Sequence, residues 1–202
     1  MKTELAIPEV DETAGKRERI LRAAVDVFAA AGYFNSRVST IANAAGVADG
    51  TIYLYFSGKE ELLVTIFQEQ MRFFLRRLGE EMKGIEDPED RLRGTIRLHL
   101  AASSEDRRLA VVFQVELRHH LKFMTLFSKQ ELADYLNHLR NAVESGQQAG
   151  RFRDDIHPQL AAKAIFGMLD EMVTSWVISE KAYRLVDSAE PLAELILRGL
   201  RA

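Results

Sequence analysis

The chain reads as an all-α protein, a small N-terminal helix-turn-helix head of three helices on a larger helical body. Apolar residues recur at steps of three and four from about Thr13 almost to Ala202, the period that gathers them on one side of a helix. No stretch alternates apolar with polar as a half-buried strand would. Only four prolines interrupt the 202 residues: Pro8 near the N-terminus, and Pro88, Pro158 and Pro191 where helices are expected to start. A missing N–H costs little in a first helical turn.

Residues 1–12 carry Glu4, Glu9, Asp11, Glu12 and a proline without a helical period, and are expected to be a disordered tail. The head is expected over 13–58 and the body over 59–202. The first helix, about Ala14 to Ala31, has an apolar stripe of Ile20, Leu21, Ala24, Val25 and Phe28, and Gly32 ends it. Ser36 is the expected N-cap of a second helix reaching about Ala45, where Gly46 permits a sharp turn. The third, about Gly50 to Phe56, is too short to be stable by itself. Val47, Ile52 and Phe56 are expected to pin it against Ile41, Ala45 and Phe28. Longer helices follow: Lys59 to about Lys83, Pro88 to Ala102, Met124 to about Ala149, His157 to about Ser179, and Pro191 to the end. The stretch 103–120 is expected to be broken.

Charge is unevenly placed. The chain has 27 basic and 30 acidic residues, net −3, yet Thr13 to Lys59 carries six basic against three acidic side chains. Such a local positive surface suits a head that meets phosphate. Two short helices around a tight turn are how a helix-turn-helix enters the major groove. On the second of them Gly50 lets backbone come close, and Thr51, Tyr53, Leu54 and Tyr55 point outward; hydroxyls reach phosphate oxygens, and methyl or aromatic groups meet thymine methyls. Ser39 and Thr40 reach the same strand, and Lys59, opening the next helix, is expected at a phosphate.

The segment resembles the DNA-binding head of the TetR family of bacterial transcriptional repressors. The matching residues are Gly32-Tyr33, Ile41-Ala42, Ala45-Gly46-Val47, Gly50-Thr51-Ile52-Tyr53, Tyr55-Phe56 and Lys59-Glu60-Glu61-Leu62. The resemblance implies a homodimer on double-stranded palindromic operator DNA, with contacts from Ser39, Thr40, Gly50, Thr51, Tyr53, Tyr55 and Lys59. The chain departs from the family at Arg37, where threonine is usual, which adds a candidate phosphate contact.

In the body, Leu160, Ala161, Ala164, Ile165, Met168, Leu169, Met172 and Trp176 form one apolar side of a helix, and Ala162, Phe166, Val173 and Val177 a second. The last helix repeats the pattern. Helices apolar on two sides are buried on two sides, most simply by a second copy pairing the last two helices; a thicker single-chain core is the alternative. Eight of eleven phenylalanines and five of six methionines lie beyond residue 60. Such residues line pockets for flexible apolar ligands, and fill ordinary cores too. The stretch Gln114-Val115-Glu116-Leu117-Arg118, with Ile165 to Glu171 and Thr174 to Val177, resembles the TetR-family repressors of fatty-acid degradation. The resemblance implies release from DNA by a long-chain fatty acyl-coenzyme A, its chain among Phe74, Phe113, Gln114, Phe123, Phe127, Phe166, Met168, Leu169, Met172 and Trp176. Arg107, Arg108 and Arg118 are the candidates for its phosphates.

Other classes find less support. Without cysteine there is neither a disulfide framework nor a thiolate metal site. His119-His120 are adjacent and splay apart on a helix, and no Gly-x-Ser-x-Gly or His-Glu-x-x-His motif occurs. No metal, cofactor or catalytic site is expected, which argues against an acyl-thioester hydrolase, and the modest charge argues against an architectural DNA protein. A basic flank followed by an apolar run is missing at the N-terminus, as is any span of about 18 apolar residues; a cytoplasmic protein without a membrane partner is expected. A repressor answering to a different hydrophobic molecule is the second reading.

Overall fold

The computed structural model describes residues 15–116 and 130–202. Among these, regular structure is helical, apart from one isolated antiparallel bridge between Phe152 and Arg201. The elements are α1 (Lys16–Ala31), α2 (Val38–Ala44), α3 (Asp49–Tyr53), α4 (Lys59–Glu81), α5 (Pro88–Glu105), α6 (Arg107–Val111), a π-helical turn (Val112–Glu116), α7 (Glu131–Gln148), α8 (Pro158–Ile178), a 3-10 turn (Leu185–Ser188) and α9 (Ala189–Leu200). The expected tail, 1–12, lies outside the described residues. No described helix is long and apolar enough to cross a membrane.

The described residues form two compact units, 15–70 with 105–116, and 71–104 with 130–202. The first unit takes in the described part of the expected head, 13–58, together with the first half of α4 and α6. Its core starts from the α1 stripe Ile20, Leu21, Ala24, Val25 and Phe28, which meets Ile41, Ala42 and Ala45 of α2 and Ile52 and Phe56 around α3. Leu62, Leu63 and Ile66 from the first half of α4, and Leu109 and Val112 from the later segment, complete it. A core of two seven-residue-or-shorter helices and α1 would leave one side open; α4 and α6 close it.

Turn chemistry departs from expectation at one residue. Gly32 (φ 77°) ends α1 and Gly46 (φ 64°) ends the α2 turn, both in the left-handed region that glycine tolerates. Ser36 does not cap α2. Its side chain is buried, and its hydroxyl donates back to the Gly32 carbonyl at 2.7 Å. Arg37 takes the N-cap position without a side-chain bond. The break after α5 is also narrower than expected. α5 runs to Glu105, and Asp106 caps α6 by accepting from the Arg108 and Leu109 amides at 2.9 and 3.1 Å.

In the second unit, α5 and α7 share two part-buried polar pairs one turn apart. Thr95 Oγ1 lies 3.1 Å from His138 Nε2, and His99 Nδ1 lies 2.9 Å from the Tyr135 hydroxyl. α7 packs on α8, and Gly146 admits the ring of Phe152 against the α7 backbone; a Cβ there would sit 2.0 Å from Phe152 Cδ2. His157 caps α8, its Nδ1 accepting from the Gln159 amide at 3.2 Å. Pro191 is the third residue of α9, which the 3-10 turn starts earlier than its proline suggests.

Candidate functional site

α3 has five residues and cannot hold itself together. Ile52, fully buried, and Phe56, nearly so, anchor it; burying an isoleucine is worth about 1.5–3 kcal/mol. With the inward positions spent on those anchors, the others face out. Tyr53 is 59% exposed, Leu54 81% and Tyr55 42%. Gly50 is exposed with nothing within 4 Å of where a Cβ would stand, and Thr51 is half-buried. On α2 and its cap, Arg37, Ser39 and Thr40 are exposed. Of the eight expected DNA-facing residues, Arg37, Ser39, Thr40, Gly50, Tyr53 and Tyr55 are thus exposed on or beside α2 and α3, and Thr51 is half-buried.

Lys59, at the start of α4, is half-buried as well. Its ammonium donates to the carbonyls of Tyr33 at 2.9 Å, Phe34 at 3.0 Å and Ser36 at 3.2 Å, and sits 4.6 Å from the centre of the Tyr33 ring. It faces the turn between α1 and α2. The start of α4 is set further by Glu61, which accepts from the Ser57 amide at 2.6 Å. That bond holds the Glu61 carboxyl below its ordinary pKa.

The expected ligand residues divide between the units. In the head, Phe113 is half-buried against the core, with its ring 5.4 Å from that of Phe67. Arg108 pairs with Asp26 of α1 at 2.8 Å, which raises the guanidinium pKa. In this structure its partner is α1, and its side chain stays 62% exposed. Asp26 also lies 3.9 Å from Arg22, and Arg22 reaches Asp106 at 2.6 Å. Charges alternate along Arg108, Asp26, Arg22 and Asp106, joining α1 to the cap of α6. Gln114 is half-buried and Arg107 exposed. Arg118, Phe123 and Phe127 lie outside the described residues, as do His119 and His120.

In the second unit, Phe74, His99, Tyr135 and Phe166 form an aromatic cluster. Phe74 meets Tyr135 edge-on at 5.2 Å and His99 at 6.0 Å, and Tyr135 meets Phe166 at 6.0 Å. Burial pushes His99 down to about 4 and keeps its imidazole neutral; it raises Tyr135. Met168 and Met172 are half-buried on α8. Leu169 is fully buried, and Trp176 is mostly buried with its indole N–H on the Tyr183 carbonyl at 3.1 Å. These two serve the core in this structure.

Sequence reasoning missed His99, Tyr135 and the Arg22–Asp106 pair. The spacing Thr95/His99 and Tyr135/His138, four and three apart, was the available signal for two facing polar stripes. Among the described residues no group of three or more His, Asp or Glu side chains is arranged to hold a metal.

The family model described as bacterial regulatory proteins, tetR family, matches residues 20–66, and that of the YsiA-like protein C-terminal region matches 67–199. The chain is similar to the fatty acid metabolism regulator protein of Bacillus subtilis (strain 168), 39% identical over 185 residues, 92% of this chain and 95% of that one. It is also similar to the solved structure of the fatty acid degradation regulator FadR from Bacillus halodurans. There the TM-score is 0.86 at 40% identity, covering 95% and 99% of the two chains. FadR from Bacillus subtilis in complex with stearoyl-CoA superimposes with a TM-score of 0.84 at 40% identity, over 90% and 97%.

Proposed function

The chain belongs to the TetR family of bacterial regulatory proteins, making it a transcriptional regulator and no enzyme, and from that premise we propose a specific role. It is a dimeric repressor of fatty-acid degradation genes, acting in the cytoplasm on a palindromic operator and released by long-chain fatty acyl-CoA. The observation that carries the reading is the exposed surface of α2 and α3. Arg37, Ser39, Thr40, Gly50, Thr51, Tyr53 and Tyr55 contact DNA, with backbone approach at Gly50 and hydroxyls on phosphates. The similarity to a regulator solved with stearoyl-CoA supports the effector. Aromatic and methionine side chains of the second unit, Phe74, Phe166, Met168 and Met172, suit its acyl chain.

The dimer forms through α8 and α9. Leu160, Ile178 and Leu195 are 63%, 68% and 64% exposed there in the single chain, and a second copy covers them. Two heads held by one dimer read half-sites about 34–36 Å apart or a multiple of that. An effector that favours another head spacing empties the operator. Swinging the population from mostly bound to mostly free takes about 5.5 kcal/mol of differential binding, and a buried acyl chain contributes about 0.8 kcal/mol per CH2.

The test is fluorescence anisotropy of a palindromic duplex selected by the protein from a random pool. Stearoyl-CoA is expected to release it at concentrations where acetyl-CoA does not. Unchanged affinity with stearoyl-CoA overturns the effector. Release by unrelated apolar compounds, without dependence on chain length, favours the repressor of a different hydrophobic molecule.

A further inference from the structure

We propose that Asp49 is a specificity-determining residue, its carboxylate selecting a C·G pair in each operator half-site by accepting from the cytosine N4 amino group. This rests on the DNA-binding role of the exposed surface of α2 and α3. Three acidic side chains lie between Thr13 and Lys59. Two are engaged: Glu18 accepts from the Gly15 amide at 2.7 Å, and Asp26 pairs with Arg108 at 2.8 Å. Asp49, the first residue of α3, is exposed, and among the described residues its carboxylate enters no ion pair and accepts no hydrogen bond. It does not cap the helix either, since the cap position belongs to Ala48.

A carboxylate beside DNA meets like charge on every phosphate, so it is tolerated only where a donor faces it. In a helix-turn-helix the first turn of the recognition helix contacts base edges, and in the major groove those edges offer two amino donors. Adenine N6 stands beside N7, an acceptor that repels a carboxylate, whereas cytosine N4 has no acceptor beside it on that edge. Guanine presents O6 and N7, and thymine O4, all of which leave the charge unpaired. Rejection of those bases thus sharpens the choice as much as the bond to cytosine does. Aspartate has a short arm and reaches a base only when the backbone is close. Gly50 permits that approach, being exposed with nothing within 4 Å of its missing Cβ.

The test lets full-length wild type, Asp49→Ala and Asp49→Asn each select duplexes from one random pool. Affinity is then measured for the wild-type choice, its single-base-pair variants and its shuffled form. Wild type is expected to prefer C·G at one position of each half-site by about tenfold or more. Asp49→Ala binds the four pairs at that position within about threefold of one another and keeps the remaining preferences. Asp49→Asn moves the preference there to adenine, whose N6 and N7 pair with an amide. Each preference is a ratio within one sample, so a partly unfolded variant still reports it. Unchanged preferences in Asp49→Ala overturn the proposal. So does tighter binding of Asp49→Ala to selected and shuffled duplexes alike, the mark of a carboxylate that only repels phosphate. A lowered melting temperature with equal losses on every duplex also overturns it, as a role in starting α3 alone. A wild type unable to prefer any duplex over its shuffled form overturns the DNA-reading premise instead.

Discussion

Single side chains divide into those that face inward and those that face out, and two glycines test the division from opposite sides. Gly50 has a helical backbone and open space at its missing Cβ. Gly50→Ala should leave the melting temperature level or raise it slightly, by the better helix propensity of about 0.5–1 kcal/mol, and still cut operator affinity about tenfold if duplex backbone approaches there. Calorimetry and anisotropy on one sample check both halves. Gly146 is the reverse case. Its substitution by alanine drives a methyl into the Phe152 ring and should cost about 1–3 kcal/mol of stability, read from urea midpoints, without a direct effect on the head. The outward residues of α3 were legible in the sequence because a helix so short has few inward positions, and Ile52 and Phe56 fill them. The contacts of Lys59 were not legible. Its partners are backbone carbonyls 23 to 26 residues away, and no side-chain identity announces where a carbonyl points. Ser36 misled for a related reason: serine caps helices well, but the Gly32 carbonyl is nearer.

At the scale of elements, the long helices followed from their periodicity, whereas α6 and the π-helical turn did not. The run Leu109-Ala110-Val111-Val112-Phe113 is apolar throughout and has no 3.6-residue signature to read. What starts α6 is Asp106, which caps it and holds Arg22 of α1. Asp106→Ala removes the cap, at about 0.5–2 kcal/mol, and strips Arg22 of this partner; denaturant unfolding should fall by at least the cap value. The α5–α7 pairs give the second unit a pH dependence. Burial lowers His99 to about 4, and burial with the Arg91 charge lowers His138. The unfolded chain protonates both near pH 6.5 while the folded one resists. Stability is therefore full above about pH 6.5 and declines as pH falls toward about 4, by up to about 1.4 kcal/mol per pH unit from His99, with His138 acting in the same direction. Urea midpoints at pH 7.5 and 5.5 should differ in that direction, and His99→Asn should flatten the profile. Glu194, held down to about 2 by Arg198, Arg201 and Arg93, begins to lose its contribution only as pH falls below its ordinary value of 4.5, and so does not bear on the comparison of pH 7.5 with pH 5.5.

For the molecule as a whole, the fold class came through from sequence because it depends on local pattern. The extent of the first compact unit did not, because its core borrows Leu109 and Val112 from far along the chain. Leu160 on α8 and Leu195 on α9 lead to the expectation for assembly. Leu160→Glu or Leu195→Glu should shift sedimentation from dimer toward monomer and weaken binding to a two-half-site operator far more than to a single half-site. The paired hydrogen bonds of α5 and α7 carry a last consequence. Hydrocarbon surfaces reward neighbouring offsets almost alike, but two polar rungs, Thr95 with His138 and His99 with Tyr135, close together only in a single alignment. These helices should consequently ratchet and never glide: NMR of the second unit should give discrete sets of resonances in slow exchange, and no continuously drifting average.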